Sequence, residues 1–168
     1  MEPAGAAGSA PKVVLEAPDD ASGLADMLSQ FLEQTVTTSA RKAGSARALR
    51  GEVVFRAQED DQIAVRISFQ GDQIVLTDLG GATLPGAPTI QGGFLAVAHV
   101  TSGQSSPFGA LARRELTVRF SPSQLPFLVR VLGLLRLEGE APRRLRLAWL
   151  SLAMALVATL AAWLWWSR

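Results

Sequence analysis

One histidine, His99 in FLAVAHV, and one run of adjacent carboxylates, Glu59-Asp60-Asp61, are the residues whose types suit acid–base or metal chemistry. A single histidine cannot build a multi-histidine metal site. The chain holds no cysteine, which removes disulfides, iron–sulfur clusters and thiolate metal sites and suits a reducing compartment. His99 lies among aliphatic residues, where it reads as a structural residue or a polar point on a pocket wall rather than a general base. The carboxylates fall between two strand-like runs and read as a solvated loop. Asp78 opens a glycine-rich stretch and reads as a turn acceptor. That stretch, GGATLPGAPTIQGG, lacks the lysine and the strand–loop–helix setting of a phosphate loop. The chain is therefore expected not to be an enzyme and to use no cofactor or metal.

Charge narrows the partners. Residues 1–140 carry twelve basic and fifteen acidic side chains, a net charge of −3. A weakly acidic body argues against a nucleic-acid partner, which would want a basic face. The segment RKAGSARALR (41–50) gathers four positive charges. It has the chemistry to meet phosphate or anionic lipid, but reads as a solvated connector.

The elements that position these residues follow from periodicity. Residues 1–19 begin with small, turn-forming residues and are expected to be disordered. Leu24, Met27, Leu28, Phe31 and Leu32 recur at helical spacing, with Asp20 or Ser22 placed to cap the start. GEVVFRAQ, QIAVRISF and QIVLTD alternate with period two, the last two joined by the turn Gln70-Gly71-Asp72, which predicts a three-stranded meander. One face of that sheet is apolar and must be covered. A short strand at APTI, short helices at FLAVAHV and PFGALARRE, a strand at LTVRF and a closing helix in SPSQLPFLVRVLGLLRL complete the body. The fold class is α+β, a small antiparallel sheet of about five strands covered by helices.

The chain ends differently. Residues 147–166 hold no charge and only two polar side chains, Ser151 and Thr159. At ~1.5 Å per residue this length matches the ~30 Å core of a bilayer. Arg143, Arg144 and Arg146 precede it, Trp149 lies one turn inside, and Trp163, Trp165 and Trp166 crowd its end before Arg168. This pattern predicts a basic hinge at 139–146 and a transmembrane helix at 147–166, a single-pass tail anchor. With three arginines before the span and one after, the positive-inside rule places the N-terminal domain in the cytoplasm, at the inner membrane in a bacterium.

The order EVVFRAQ, DQIAVRISFQGDQIVLTD, APTIQGGFLAVAHVTSGQSSPFGALARRELTVRF, LPFLVRVLGLLRL resembles the sterol carrier protein 2 family. The likeness covers residues 50–138, with 20–40 supplying the preceding helix, and is carried best by the QGDQ turn, PTI entering GGFLAVAHV, and SSPFGALARRELTVRF. It implies a domain over 20–138 that binds a fatty acid, acyl-CoA or sterol in an apolar tunnel between sheet and helices, without covalent chemistry. Phe94, Val97, Phe108, Leu111, Leu128, Val131 and Leu132 are the wall residues that it implies. The chain departs from the family pattern at Arg114 or Glu115, where a glycine is usual, at Phe120-Ser121, where a Gly-Asp pair is usual, and in the terminal span.

Function then divides three ways. The first reading is membrane-anchored binding or local transfer of a hydrophobic ligand, with lipid and the bilayer as partners. The second is a membrane-tethered scaffold of the same fold with a solid core and a membrane or cytoplasmic protein partner, favoured by an exposed apolar patch over residues 24–32. The third is an enzyme subunit that delivers substrate to a catalytic partner.

Overall fold

The computed structural model describes residues 9–60, 62–101 and 104–136. Six strands, β1 (Lys12–Leu15), β2 (Arg50–Ala57), β3 (Ala64–Gln70), β4 (Gln73–Asp78), β5 (Thr89–Gly92) and β6 (Leu116–Arg119), form one sheet in the order β1-β4-β3-β2-β5-β6. Five helices accompany them: α1 (Gly23–Thr38), α2 (Ala40–Arg47), α3 (Phe94–Thr101), α4 (Pro107–Ala112) and α5 (Leu125–Leu134).

The meander is β2-β3-β4, and its registers show why one face must be covered. Val53 pairs with Ile67 and Phe55 with Val65 across β2 and β3, while Ile67 pairs with Leu76 and Phe69 with Ile74 across β3 and β4. Side chains alternate along a strand, so all seven project to the same side, and each is at most 3 % exposed. The two-residue turn that sets the β3–β4 register needs Gly71, whose φ of +88° is costly for any other residue. On the opposite face Arg66 lies between Glu16 and Glu52 and donates to Thr77 Oγ1 at 2.9 Å.

The covering helix α1 packs on β1, β4 and β3, and α2 packs on α1 and β3. The stripe read from the sequence faces inward. Leu24, Leu28 and Leu32 are fully buried, Phe31 nearly so, and Met27 packs at the margin of the core. Ser22 is the N-cap, its hydroxyl accepting from Ala25 N at 3.3 Å. Asp78, at the end of β4, accepts from Ser22 N at 2.8 Å and from Gly80 N at 3.1 Å. It thus joins the start of α1 to the sheet rather than serving a local turn alone. Burial pushes the Asp78 carboxyl up, but hydrogen bonds from the Ser22 side chain and backbone and from Gly80 outweigh it and hold the pKa below the usual range.

Several expectations are corrected. The sheet is six-stranded and mixed rather than wholly antiparallel, because β1 runs parallel to β4 and β5 parallel to β2. β1 falls within residues 1–19, for which the sequence predicts disorder; its pairing partner lies about sixty residues away, beyond any local signal. RKAGSARALR is mostly α2 rather than a solvated loop, capped by Ser39 and burying Lys42, Ala43 and Ala46.

The tail anchor is also corrected. Among the described residues no helix is long and apolar enough to cross a membrane, the longest being the 16-residue α1. The hinge at 139–146 and the segment 147–166, with Arg143, Arg144, Arg146, Trp149, Trp163, Trp165 and Trp166, lie outside the described residues. The transmembrane helix, the bilayer as partner and the single-pass location with a cytoplasmic domain find no support among the described residues and are not carried further.

Two substitutions test this account of the fold. Asp78→Ala is expected to cost about 1–2 kcal/mol at neutral pH in a urea titration, since it leaves the start of α1 unanchored. A lowered carboxylate pKa stabilises fully above its unfolded value of about 3.9 and loses that contribution as pH falls through the folded value. The gap between parent and variant is thus expected to shrink below pH ~4, and a gap independent of pH would remove Asp78 as the cause.

Arg114 follows the end of α4 with a φ of +61°. Arg114 N donates to Leu111 O and Glu115 N to Ala110 O at this helix end. Arg114→Gly is expected to raise stability by about 0.5–1 kcal/mol by relieving a left-handed arginine. A loss on the same titration would contradict that reading.

Candidate functional site

Between the sheet and its helices lies one continuous apolar layer. Val53, Phe55, Ile67 and Ile90 form its floor, and side chains from all five helices form its roof. Among the described residues the buried polar side chains are Thr35, Ser39, Lys42 and Ser68. Such a layer is held together by the hydrophobic effect.

Of the seven candidate wall residues, six pack in or against this layer. Val97, Leu128, Val131 and Leu132 are buried in the layer, and Phe108 and Leu111 pack half-buried against it. Phe94 does not join them fully. It stands in the first turn of α3, three residues before the inward Val97 on the same helix face, and remains 40 % exposed beside Leu95 at 70 %. Phe94 therefore marks the rim of the layer rather than its wall. Three depressions on the described surface lie elsewhere: beside Asp78 and Glu16, beneath the 84–88 loop, and between α2 and α5.

At one end of the layer α5 is set by Phe127. Its ring meets Phe69 edge-on, with centroids 6.1 Å apart and planes at 77°. The same ring lies over Gly51, where an added Cβ would come within 3.3 Å of it. Pro122 opens a 3-10 turn closed by a Ser121–Gln124 capping box, and α5 begins at Leu125 with Pro126 in its first turn.

At the other end α3 is set by Glu59. Its two carboxylate oxygens accept from Phe94 N at 3.1 and 3.0 Å, which caps the start of the helix and complements its dipole. Gly93 admits this approach, because a Cβ there would meet Glu59 Oε1 at 2.8 Å. The sequence places Glu59 in a solvated loop, and it is indeed exposed in the bend after β2; from there it also caps α3. The cap spans thirty-five residues of sequence, so no spacing rule reveals it. Asp60 accepts from Gln62 N in a local turn, and Asp61 lies outside the described residues.

His99 lies on the exposed side of α3, close enough to Glu115 for its charge to act there. Glu115 takes a two-point bond from Arg113, at 2.7 and 3.0 Å, and Arg113 also donates to Ser105 Oγ at 2.8 Å. The bond from Arg113 holds the Glu115 carboxyl below its ordinary value against the opposing cost of desolvation. This surface group ties the α3–α4 connection to the start of β6. Among the described residues no group of three or more His, Cys, Asp or Glu is placed to hold a metal ion.

No protein-family model matches the chain, and no curated protein matches it. Solved structures do. The chain is similar to a crystal structure of sterol carrier protein 2 with a TM-score of 0.51 and 15 % identity, covering 68 % of this chain and 92 % of that one. At that identity the likeness shows the fold. Two further structures have a TM-score of 0.48, too low to add to the argument. One is a conserved hypothetical protein of Thermus thermophilus, possibly a sterol carrier protein, at 16 % identity over 77 % of this chain and 94 % of its own. The other is a ubiquinone synthesis protein, UbiJ-SCP2, at 13 % identity over 67 % and 91 %.

The Glu59 cap makes a local test possible. In Glu59→Ala the amides at the start of α3 are expected to exchange with solvent at least about tenfold faster, while those of β3 keep the parent rate. Unchanged exchange at Phe94 would show that the carboxylate does not hold the helix.

Proposed function

We propose that this domain binds a hydrophobic small molecule, such as a fatty acid or sterol, between its sheet and its helices, and performs no chemistry on it. The observation that carries the reading is the fold shared with sterol carrier protein 2 over 68 % of the chain. The site agrees with it in kind. Its residues are aliphatic and aromatic, Phe94 sits exposed at the rim, and its charged neighbours Glu59 and Arg113 position helices. Binding would draw on burial of the ligand's apolar surface, at ~25 cal/mol per Å².

The scaffold alternative looked to an exposed apolar patch over residues 24–32. Leu24, Leu28, Phe31 and Leu32 are instead buried against the sheet, so that surface is spent on the fold and gives the alternative no support.

Leu128, buried in the roof at 2 % exposure, separates a ligand-filled layer from a solid one. On the full-length chain, Leu128→Trp is expected to abolish saturable uptake of a fluorescent fatty acid and to remove co-purifying lipid from the mass spectrum, with little change in stability. A solid core would instead be overpacked by the indole and lose about 1–3 kcal/mol. Loss of stability with no lipid on the parent protein would overturn the proposal.

A further inference from the structure

Helices α2 and α5 pack side by side, and a groove of about 400 Å³ runs between them. Arg41, Lys42 and Ser45 line it from α2, and Arg130, Gly133 and Leu134 from α5. Three of these side chains are cations, and among the described residues no carboxylate lines the groove. We propose that this groove binds a phosphate-type anion.

The geometry follows from helix periodicity. Positions 41 and 45 lie one turn apart on α2, as do 130 and 134 on α5, so each helix turns a single ridge to the groove. Lys42 is ordered rather than dangling. It is 6 % exposed, and its ammonium donates to the carbonyl of Arg136, just past the end of α5. A positive charge is thus held across the seam between the two helices. Arg41 and Arg130 are exposed arginines whose planar forks match phosphate oxygens. Gly133 opens the wall, because an added Cβ there would meet nothing within 4 Å.

The chemistry also explains a basic stretch that a solvated loop does not require. RKAGSAR is a helix whose buried face holds Ala43 and Ala46 against the core; Arg41 and Lys42 line the groove toward α5, while Arg47 turns to Asp72. Leu134 lines the groove and is also buried in the core. A phosphate seated there is either free or the head of a lipid whose chains lie toward Leu134, and both present the same oxygens. The proposal rests on the groove alone and stands apart from the apolar-ligand reading.

The test titrates the full-length chain, labelled for NMR, with inorganic phosphate and separately with monomeric dihexanoyl phosphatidic acid. Saturable shifts are expected at the amides of residues 41–48 and 130–134, weakening as salt is raised. Gly133→Glu places a carboxylate in open space within the groove and is expected to cut affinity at least tenfold with the circular dichroism spectrum unchanged. Arg130→Gln is expected to cut it several-fold, which keeps the test decisive should the first variant misfold. At least tenfold tighter binding of the lipid assigns the site to a headgroup, and equal binding assigns it to a free phosphate compound. No saturable shift with either anion, or affinity unaltered in both variants, overturns the proposal whatever the fatty-acid experiment shows.

Discussion

The apolar face of the central meander is the constraint from which the rest of the structure follows. Val53, Phe55, Val65, Ile67, Phe69, Ile74 and Leu76 stand together on one side of three paired strands. Exposing such a face to water is untenable, and truncating a single large member to alanine typically costs ~2–5 kcal/mol. Five helices supply the cover. α1 lies across β1, β4 and β3, α2 and α5 close one end, and α3 and α4 close the other. Each helix is short, so none stands alone in water without that sheet.

Polar residues decide where the cover sits. Asp78 holds the N-terminus of α1, Glu59 holds that of α3, and the Arg113–Glu115 pair holds the segment between α4 and β6. The bonds to Asp78 and Glu59 satisfy backbone donors that a helix start leaves open. Charged residues in this domain thus act as fixings for an apolar layer.

Much of this is legible in the sequence because it is periodic and local. The stripe of Leu24, Leu28 and Phe31, the alternation through QIAVRISF and QIVLTD, and the glycine in the QGDQ turn each declare their element within a few residues. The buried positions Val97, Leu128, Val131 and Leu132 follow from the same spacing, joined to a resemblance that supplies the order of elements. What is not legible is long-range. β1 becomes a strand only by pairing with β4, and Glu59 becomes a cap only once β5 delivers Phe94 to it. The basic helix α2 escapes a sequence reading because alanine, glycine and serine leave its apolar face faint, while four positive charges dominate the stretch.

The central claim is that an apolar ligand lies between sheet and helices, and intermolecular NOEs report its position directly. With uniformly carbon-13-labelled palmitate added to the unlabelled full-length chain, cross-peaks are expected from the acyl chain to the methyl groups of Val97, Leu128 and Val131, three residues from two helices that roof one layer. Cross-peaks confined to the exposed side chains of Phe94 and Leu95, or none at saturating ligand, would contradict the account and leave the layer a solid core.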